Sequence, residues 1–595
     1  MNYLNINLKK SPSYLEQLKN IWWNLRPKRK YQLIFLLIMM LLSGLAEVFS
    51  LTLIVPFLSV LTDPDKILTN SFIQNTIKIL RISDSNQLLL FITFIFALAA
   101  ILSAFIRFIN SWLSFKLTSL IGSDLSYSAF TKVIYSSYEE HIKKNSSETI
   151  SAISTQLPYA IQFILNTLRI ISSLITLVFI ICTLFTIYFK VTFAGFLIFG
   201  VFYIFIAKLI KNKLIRNGIL FKEASNKHIK ALQESIGALR DISLNRSQKT
   251  FLKIYRDIDY PMRKYVSTNL TLSSFPKYFI EAFALVIIAI IAYIMSSQKE
   301  EFINVVPIIG TIAFGAQKLL PNIQEIFKSW ANQKSFAASV ETVISIINRP
   351  VNIDEIDKFS HMKFKKNISF NNVSFSYSKE TPKIINELSI DIPKGQKIGI
   401  IGSTGSGKST FIDLLIGLLE PTSGNITIDG IELKKTNPKI LNSWRASISN
   451  VPQNLFLLDR SFKENIAFGI PIDEINHKKV ISAAKKARIS EYIERTHFGY
   501  DTSVGERGLK LSGGQKQRIG IARALYRDSD VIVLDEATSA LDSLTEKKVI
   551  ENIKELESHL TILIITHRLA TLEYCDRVIK IEKGSIVYDG IPKNI

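Results

Sequence analysis

Residues 400–409 read IIGSTGSGKS and fit the pattern G-x-x-x-x-G-K-[ST], whose glycines let backbone N–H groups face phosphate oxygens. An apolar, strand-like segment at 397–401 leads into the glycine-rich loop, and a helix-compatible segment follows the motif at 410–419, as this motif requires. We therefore predict an α/β P-loop NTPase domain rather than a glycine-rich turn with a chance lysine. Lys408 should reach the β- and γ-phosphates of ATP, and Ser409 should bind Mg²⁺. The predicted nucleotide-binding residues of the loop are Gly402, Ser403, Thr404, Gly405, Ser406, Gly407, Lys408, Ser409 and Thr410.

A second segment, VIVLDEA at 531–537, supplies two adjacent carboxylates. Four apolar residues precede Asp535 and Glu536, so we expect a buried parallel strand that delivers both acids beside the nucleotide. Asp535 is the predicted Mg²⁺ ligand. Glu536 is the predicted catalytic group that polarises the attacking water, because phosphoryl transfer depends on positioning and charge stabilisation. The two acids could instead cap the next helix, but the phosphate loop upstream argues against that interpretation.

The motif LSGGQ at 511–515 makes residues from about 361 to 595 resemble the nucleotide-binding domain of ATP-binding cassette (ABC) transporters. The resemblance implies a parallel sheet, a helical subdomain and a head-to-tail dimer that encloses two ATP molecules. The motif would open a helix whose N-terminal N–H groups meet the γ-phosphate of the ATP held by the partner subunit. The residues of this motif that should bind ATP are Ser512, Gly513, Gly514 and Gln515.

Further positions match the family in order and spacing. Tyr377 matches the aromatic residue that stacks on adenine. Gln453 matches the glutamine that touches Mg²⁺, a catalytic and metal role. Asp542 ends the segment SALD, which matches the loop that joins the two ATP sites, and His567 matches the switch histidine that senses the γ-phosphate. Because Glu536 and His567 are both present, two copies would form two competent sites, which favours a homodimer.

The N-terminal half is strongly apolar and predicts a membrane domain, since about 20 apolar residues cross a bilayer as a helix. The predicted fold class is therefore a membrane all-α domain of six transmembrane helices with long cytoplasmic extensions, joined to an α/β P-loop ABC domain. We expect the transmembrane domain at 1–345, a linker at 346–360 and the ATPase domain at 361–595. The six predicted spans are 31–61, 88–112, 163–189, 192–210, 276–296 and 304–325.

The connections between the spans resemble those of ABC exporters. The second-to-third and fourth-to-fifth loops are long and polar, and their cytoplasmic tips, the predicted coupling loops, should lie near 138–147 and 239–248. The segment TSVGERG at 502–508 is similar to an exporter segment that contacts such loops. A soluble ABC ATPase that acts on nucleic acid or ribosomes would need two cassettes and no spans, whereas this chain has one cassette.

The formal charge of +22 has a membrane explanation. Basic residues crowd RPKRK at 26–30 and the fourth-to-fifth loop, both cytoplasmic in this topology, as the positive-inside rule expects. Binding to nucleic acid is not predicted, because these residues flank membrane spans. We expect an integral protein of the bacterial inner (plasma) membrane with a cytoplasmic ATPase domain, no cleaved signal peptide and no N-terminal peptidase domain. Cys182 and Cys575 predict neither a disulfide nor a metal site.

Four ionisable residues in the spans are substrate candidates, because charges within a membrane are costly and often functional. Arg107 and Arg169 should lie near the inner leaflet boundary, either snorkelling to the interface or facing a cavity where an anionic head group could bind. Glu47 and Lys318 should lie deeper, where they are expected to pair or to line a watery path.

The segment 43–64 resembles the first span of bacterial ABC proteins that flip lipid-linked oligosaccharides or export glycolipids. Residues 71–82, SFIQNTIKILRI, have the pattern of a short amphipathic helix on the outer surface, as in those flippases, or are an ordinary apolar loop. We predict a homodimeric, ATP- and Mg²⁺-dependent exporter or flippase for a lipid-linked sugar or glycolipid. The alternative is a multidrug, peptide or general lipid exporter.

Overall fold

The computed structural model describes residues 14–62, 85–187, 189–297, 302–351, 360–378, 380–537, 545–546, 548–549, 551 and 560–594. These residues form two compact units. The first unit ends at Val351, inside the predicted linker 346–360, and the second unit holds the C-terminal part together with the short segment Ser137–Glu140.

The first unit is built from helices, several of them more than 40 residues long. Long helices suit apolar sequence in a membrane, because every backbone N–H and C=O finds its partner within the same segment. A π-helical turn at Ala152–Gln156 lies between the sixth and seventh helices. The helices are α1 (Tyr14–Asn24), α2 (Pro27–Thr52), α3 (Ile54–Thr62), α4 (Ser85–Ile134), α5 (Tyr138–Lys143), α6 (Ser146–Ser151), α7 (Leu157–Ile187), α8 (Phe189–Gly237), α9 (Leu239–Leu244), α10 (Gln248–Ser297) and α11 (Phe302–Ile347).

Within the described residues, four helical segments are long and apolar enough to cross a membrane: Pro27–Leu61, Asn86–Ile134, Ser146–Thr186 and Gln248–Ile287. They overlap the predicted first, second, third and fifth spans. The predicted spans at 192–210 and 304–325 lie on α8 and α11, which are not among these four segments. The count of six spans is therefore not confirmed and stays a prediction.

The first unit has two main hydrophobic clusters, one formed by α1, α2, α4, α7 and α11 and the other by α8, α10 and α11. Helix α2 packs closely on α7 at Gly44, where a Cβ atom would lie 2.6 Å from the ring of Phe179. Short helices, α5 and α9, occur at the two tips predicted from the loop lengths. The predicted outer helix at 71–82 falls outside the described residues.

The second unit contains two sheets. A six-stranded sheet has the order β10-β9-β3-β8-β7-β6, parallel except for β10, and a four-stranded antiparallel sheet has the order β2-β1-β4-β5. The strands are β1 (Asn367–Phe375), β2 (Ile385–Pro393), β3 (Lys397–Ile401), β4 (Ser423–Ile428), β5 (Ile431–Glu432), β6 (Ile448–Val451), β7 (Val531–Asp535), β8 (Thr561–Ile565), β9 (Arg577–Glu582) and β10 (Ser585–Gly590).

The helix Lys408–Ile416, which follows the phosphate loop, joins the two sheets into a single core. Phe411 stacks on Phe370 of the antiparallel sheet with ring centroids 4.8 Å apart, and the same cluster holds buried residues of the parallel sheet. A second cluster underlies the helical part of the unit. The helices are α12 (Lys408–Ile416), α13 (Pro438–Ala446), α14 (Phe462–Ile466), α15 (His477–Lys486), α16 (Ser490–Glu494), α17 (Gly513–Tyr526) and α18 (Leu569–Leu572), with 3₁₀ turns at Ile472–Glu474, Gly499–Asp501, Glu506–Gly508 and Pro592–Asn594.

The strand register places the predicted motifs at one edge of the parallel sheet. Strand β8 pairs with both β3 and β7, so that Ile565 lies opposite Ile400 on one side and Asp535 on the other. The phosphate loop follows β3, the acidic pair ends β7, and His567 follows β8. Ligands of open parallel sheets bind outside the carboxyl ends of the strands, where these three motifs meet.

Candidate functional site

The phosphate loop leaves β3 through glycines that no other residue could replace without strain. A Cβ atom at Gly402 would lie 2.2 Å from the carbonyl oxygen of Ile581. Gly407, the N-cap of α12, has a φ of 105°, a left-handed conformation that side chains rarely adopt. The loop therefore keeps its backbone close to strand β9 and opens α12 with its N–H groups at the loop, the arrangement that binds phosphate at a helix N-terminus.

The loop fits a triphosphate by two observations. The Lys408 ammonium donates hydrogen bonds to the carbonyl oxygens of Gly402 (2.8 Å) and Ser403 (2.9 Å), so the cation is held inside the loop. Burial lowers the pKa of Lys408, opposed by the nearby acids Glu536 and Asp535. The Ser406 hydroxyl is buried and has no hydrogen-bond partner in the described part of the chain. A buried hydroxyl of the phosphate loop that lacks an internal partner fits a site for an anionic ligand.

Asp535 ends strand β7, where the sequence placed it. That it binds Mg²⁺ stays a prediction. Burial raises the pKa of Asp535, as does the charge of Glu536, while Lys408 lowers it. Asp413 of α12 is a further acid close by, and its pKa is raised to about 6 by burial and by the charge of Asp535. Both acids are half-buried, and in the described part of the chain no ion pair with a basic side chain is seen for either. Two such carboxylates close together suit a divalent cation, so these residues fit Mg²⁺ bound with the nucleotide.

Glu536 has a backbone conformation that is rare for a residue other than glycine, with a φ of 49°. Its N–H donates to the carbonyl oxygen of Ile565 (3.1 Å), and its own carbonyl oxygen accepts from Gln517 Nε2 (3.2 Å). Both sides of the residue are thereby tied to neighbouring elements. Strained residues that are held in this way often occur at active sites.

The carboxylate of Glu536 lies between the two predicted catalytic partners. Gln453 Nε2 donates to Glu536 Oε2 (2.7 Å), and His567 Nε2 lies 3.1 Å from Glu536 Oε1. Gln453 and His567 are exposed, and Glu536 is half-buried. The sequence predicted all three from separate motifs, and the fold brings them into direct contact. A carboxylate, an amide and an imidazole that converge beside a phosphate loop can orient a water molecule for attack on phosphorus.

Tyr377 lies next to the helix of the phosphate loop. Its hydroxyl is 3.3 Å from the Thr410 hydroxyl, its ring makes an edge contact with Phe375, and it is 38% exposed. The exposed ring is therefore available for a planar ligand beside the phosphate loop. That it stacks on adenine stays a prediction.

The motif LSGGQ begins helix α17, as predicted. The Ser512 hydroxyl accepts from the Gln515 N–H (3.3 Å), and the Gln515 side chain accepts from the Ser512 N–H (2.8 Å), which makes a capping box. Ser512 and Gly513 are exposed, and Gly514 follows in the first turn. Asp542, with the rest of SALD, lies outside the described residues, so its predicted role stays a prediction.

Two positioning groups were missed by the sequence analysis. Gln517 holds the backbone of Glu536, and only its spacing from LSGGQ could have indicated this contact. Glu546 is buried, accepts a hydrogen bond from Thr571 (2.8 Å) and pairs with Arg568, which directly follows His567. The segment that carries His567 is thus tied to a buried carboxylate. No motif in the sequence pointed to that contact.

The first unit, called the membrane unit from here on, holds a second cluster of charged residues. Glu47 of α2 is 2% exposed and pairs with Lys318 of α11 (3.0 Å) and with Arg107 of α4 (3.1 Å). The Ser103 hydroxyl donates to the same carboxylate (2.9 Å). The expectation that Glu47 and Lys318 pair is confirmed. Arg107, which was expected nearer the inner leaflet boundary, contacts Glu47 through its long side chain. Its depth in the membrane stays a prediction.

Arg169 of α7 is not part of that cluster in the structure. It pairs with Glu325 of α11 (3.4 Å), and its guanidinium lies 5.7 Å from the ring centre of Phe115. The Ser329 hydroxyl donates to the same carboxylate (3.2 Å). Both arginines that were considered for an anionic head group are therefore partly neutralised by acids of the same chain. Their substrate role stays a prediction.

Two family models match the chain. Residues 33–316 match the ABC transporter transmembrane region, and residues 385–539 match the ABC transporter model. A solved structure described as that of a bacterial Atm1-family ABC exporter with ATP bound aligns with a TM-score of 0.79. It covers 95% of this chain and 96% of its own at 21% identity, a likeness that shows the fold alone.

Curated relatives share part of the chain. A leukotoxin export ATP-binding protein of Aggregatibacter actinomycetemcomitans is 38% identical over 284 residues, which cover 47% of this chain and 39% of that protein. A leukotoxin translocation ATP-binding protein of Mannheimia glucosida is 40% identical over 261 residues, which cover 44% and 36%. The aligned region thus spans well under half the length of these relatives.

Proposed function

Because the chain carries the transmembrane region and the ATPase domain of an ABC transporter in one polypeptide, we propose that it is a membrane exporter driven by ATP hydrolysis. The observation that carries this proposal is the contact of Glu536 with both Gln453 and His567 at the edge of the phosphate loop. No residue of the predicted hydrolytic set is replaced by one that lacks its chemistry. The chain is therefore equipped to cleave ATP and not only to bind it.

The chain's own residues divide the work of hydrolysis. The phosphate loop and Lys408 bind the triphosphate, and Ser409, Asp535 and Gln453 would hold Mg²⁺, which neutralises charge on the phosphates. Glu536 accepts a hydrogen bond from the attacking water and orients it. His567, held beside Glu536, would donate to the γ-phosphate and so report whether it is present.

We propose that two copies of the chain act together. Ser512 stands exposed at the start of α17, whose N–H groups and positive dipole end favour an anion. In the head-to-tail dimer that the resemblance implies, this helix end completes the ATP site of the partner subunit. Closure of the two sites on ATP would then move the membrane helices, and hydrolysis would reset them.

For the cargo we propose an amphipathic lipid-linked sugar or glycolipid with an anionic phosphate group. Support comes from cations placed among apolar helices: Arg107 and Lys318 share a single carboxylate, so positive charge is in excess there. A charge-assisted hydrogen bond to phosphate would use that excess. Large apolar side chains near Arg107, such as Ile101 and Phe105, are exposed on the same helix and suit lipid chains.

A polypeptide is the second candidate cargo. The leukotoxin exporters that match part of the chain favour it, since their names state that they export or translocate a leukotoxin. The two cargoes differ in how they would use the membrane cations. A lipid with a phosphate head group depends on them directly, whereas an extended polypeptide has no fixed anion to place there.

The test replaces both candidate arginines, Arg107→Gln with Arg169→Gln, in the full chain reconstituted into vesicles. We expect basal ATP hydrolysis to persist, because the nucleotide-binding residues belong to the other unit. Translocation of a pyrophosphate-linked glycolipid should fall by about 10²-fold or more, since the loss of two charge-assisted hydrogen bonds removes about 3 kcal/mol or more of interaction. The measurement is the fraction of labelled lipid that reaches the inner leaflet.

The matched control replaces two exposed basic residues that pair within their own helices, Lys230→Gln with Arg263→Gln. This double variant loses the same charge and should translocate at the wild-type rate. Wild-type translocation by the Arg107 and Arg169 double variant would exclude a head-group role for both residues. It would leave the polypeptide as the better cargo.

A further inference from the structure

The single carboxylate of Glu47 pairs with two basic side chains, so the cluster of the three carries more positive than negative charge. Lys318 and Arg107 both approach it, and among the described residues Glu47 is the acid that pairs with either of them. Two cations and one anion leave a net charge of +1 between α2, α4 and α11. Excess charge in an apolar region is costly, so the cluster is incomplete without a further anion.

The pair of Arg169 and Glu325 differs in this respect. It contains one cation and one anion and is balanced by itself. Excess positive charge therefore distinguishes the Glu47 cluster from the pair of Arg169 and Glu325. It indicates where an external anion would be bound most strongly.

The two cations of the cluster are not equally accessible. The Lys318 side chain is 18% exposed, whereas that of Arg107 is 49% exposed and touches Glu47 through Nη1. A guanidinium has five N–H donors, and its planar fork matches the oxygens of a phosphate. An anion that arrives from outside would therefore meet Arg107 first, while Lys318 keeps Glu47 neutralised.

We propose that Glu47 is a built-in counter-anion that holds Arg107 until the phosphate group of the cargo replaces it. This inference rests on the proposed anionic lipid cargo and adds how binding is controlled. In the cargo-free protein, Glu47 of α2 ties α4 through Arg107 and α11 through Lys318. A phosphate that takes Arg107 removes the ion pair between α2 and α4 and leaves the Ser103 hydrogen bond between the same helices and the tie between α2 and α11. Cargo binding thereby loosens the link between α2 and α4.

Removal of the Glu47 carboxylate should strengthen the binding of an anionic lipid. In the Glu47→Gln variant, the Arg107 guanidinium no longer pairs with a carboxylate of its own chain, so no ion pair has to break before an anion binds. If Glu47 holds Arg107 in most molecules, the apparent affinity for an anionic lipid should rise by about tenfold, since a competing state lowers apparent affinity by its share of the population. Arg107→Gln should lower the same affinity.

The experiment uses the full chain in nanodiscs and decaprenyl phosphate as the probe, with uncharged decaprenol as the reference lipid. Binding is followed as the concentration of probe that gives half-maximal change in ATP hydrolysis, and by the shift in thermal unfolding. We expect Glu47→Gln to need about tenfold less decaprenyl phosphate than the wild type and to bind decaprenol unchanged.

A second variant guards against misfolding, because Glu47→Gln leaves Lys318 without its acid. Glu47→Gln with Lys318→Gln removes one charge of each sign and retains the net charge of the cluster. It should also bind decaprenyl phosphate more tightly than the wild type. Glu234→Gln is the matched control, since it removes an acid from an exposed one-to-one pair with Lys230 and should leave the probe concentration unchanged.

The outcomes separate the inference from the function on which it rests. If the wild type responds to decaprenyl phosphate but neither Glu47 variant responds at lower concentration, the counter-anion is excluded and the anionic cargo stands. If the wild type and every variant respond to decaprenyl phosphate and to decaprenol at the same concentration, the proposal of an anionic lipid cargo is overturned. The counter-anion role of Glu47 then fails with it.

Discussion

Glu536→Gln is expected to lower steady-state ATP hydrolysis by about 10²-fold or more while ATP still binds, because the attacking water loses the carboxylate that orients it. The substitution preserves the size of the side chain and one acceptor oxygen, so the contacts with Gln453 and His567 are only partly lost. ATP should therefore stay bound in a closed dimer. Phosphate release and retained radiolabelled ATP are the two measurements, made in detergent or nanodiscs.

The matched control is Glu582→Gln. Glu582 lies at the end of β9, is exposed and pairs with Lys580 (2.8 Å), so it offers the same change of charge in the same unit. It should hydrolyse ATP at the wild-type rate. Near-normal hydrolysis by Glu536→Gln would show that another residue activates the water. A loss of ATP binding would point instead to a structural role, given the strained backbone of Glu536.

Mixed dimers of Lys408→Ala and Ser512→Ala subunits should retain one intact ATP site. If Ser512 serves the partner's ATP, both lesions fall into the same site, and the other site has its full set of residues. The opposite holds if each chain builds its site alone, because every site then carries one lesion. In a random equal mixture about half of the dimers are mixed, and each mixed dimer has one intact site of its two. Roughly one quarter of all ATP sites should therefore trap ATP.

Carrying Glu536→Gln on every subunit keeps trapped ATP from being cleaved, so trapped nucleotide can be counted directly. Each single variant by itself should trap essentially none and serves as the reference. Coexpression with two different affinity tags allows the mixed dimers to be isolated. No trapped ATP in the isolated mixed dimers would contradict the head-to-tail arrangement.

The nucleotide site could be predicted from the sequence because its residues follow backbone geometry. The glycines of the phosphate loop are required by close approach, as at Gly402, and Asp535 and Glu536 are placed by a buried strand. Such local signals need no knowledge of distant contacts. The contact of Gln517 with the Glu536 backbone and the buried Glu546 depend on pairing across the fold, which a local pattern does not encode.

The membrane unit was less predictable for the same reason. Hydropathy gives the length of an apolar run but not which face of a helix meets another helix. Counting residues along single spans separated Arg107 from Glu47, whereas a flexible arginine crosses several ångströms between neighbouring helices. The pairing of Glu47 with Lys318 was accessible because two opposite charges in apolar surroundings strongly favour each other.

The central claim is that ATP hydrolysis by this chain drives export of an anionic lipid-linked sugar, and translocation in vesicles tests it most directly. The full chain is reconstituted with its ATPase units outward, with labelled polyprenyl-pyrophosphate oligosaccharide in the membrane and with a labelled polypeptide outside as the competing cargo. We predict that the lipid-linked sugar leaves the outer leaflet only when ATP and Mg²⁺ are added and the chain has Glu536. Equal movement of the lipid with Glu536→Gln, or ATP-dependent uptake of the polypeptide alone, would contradict the account.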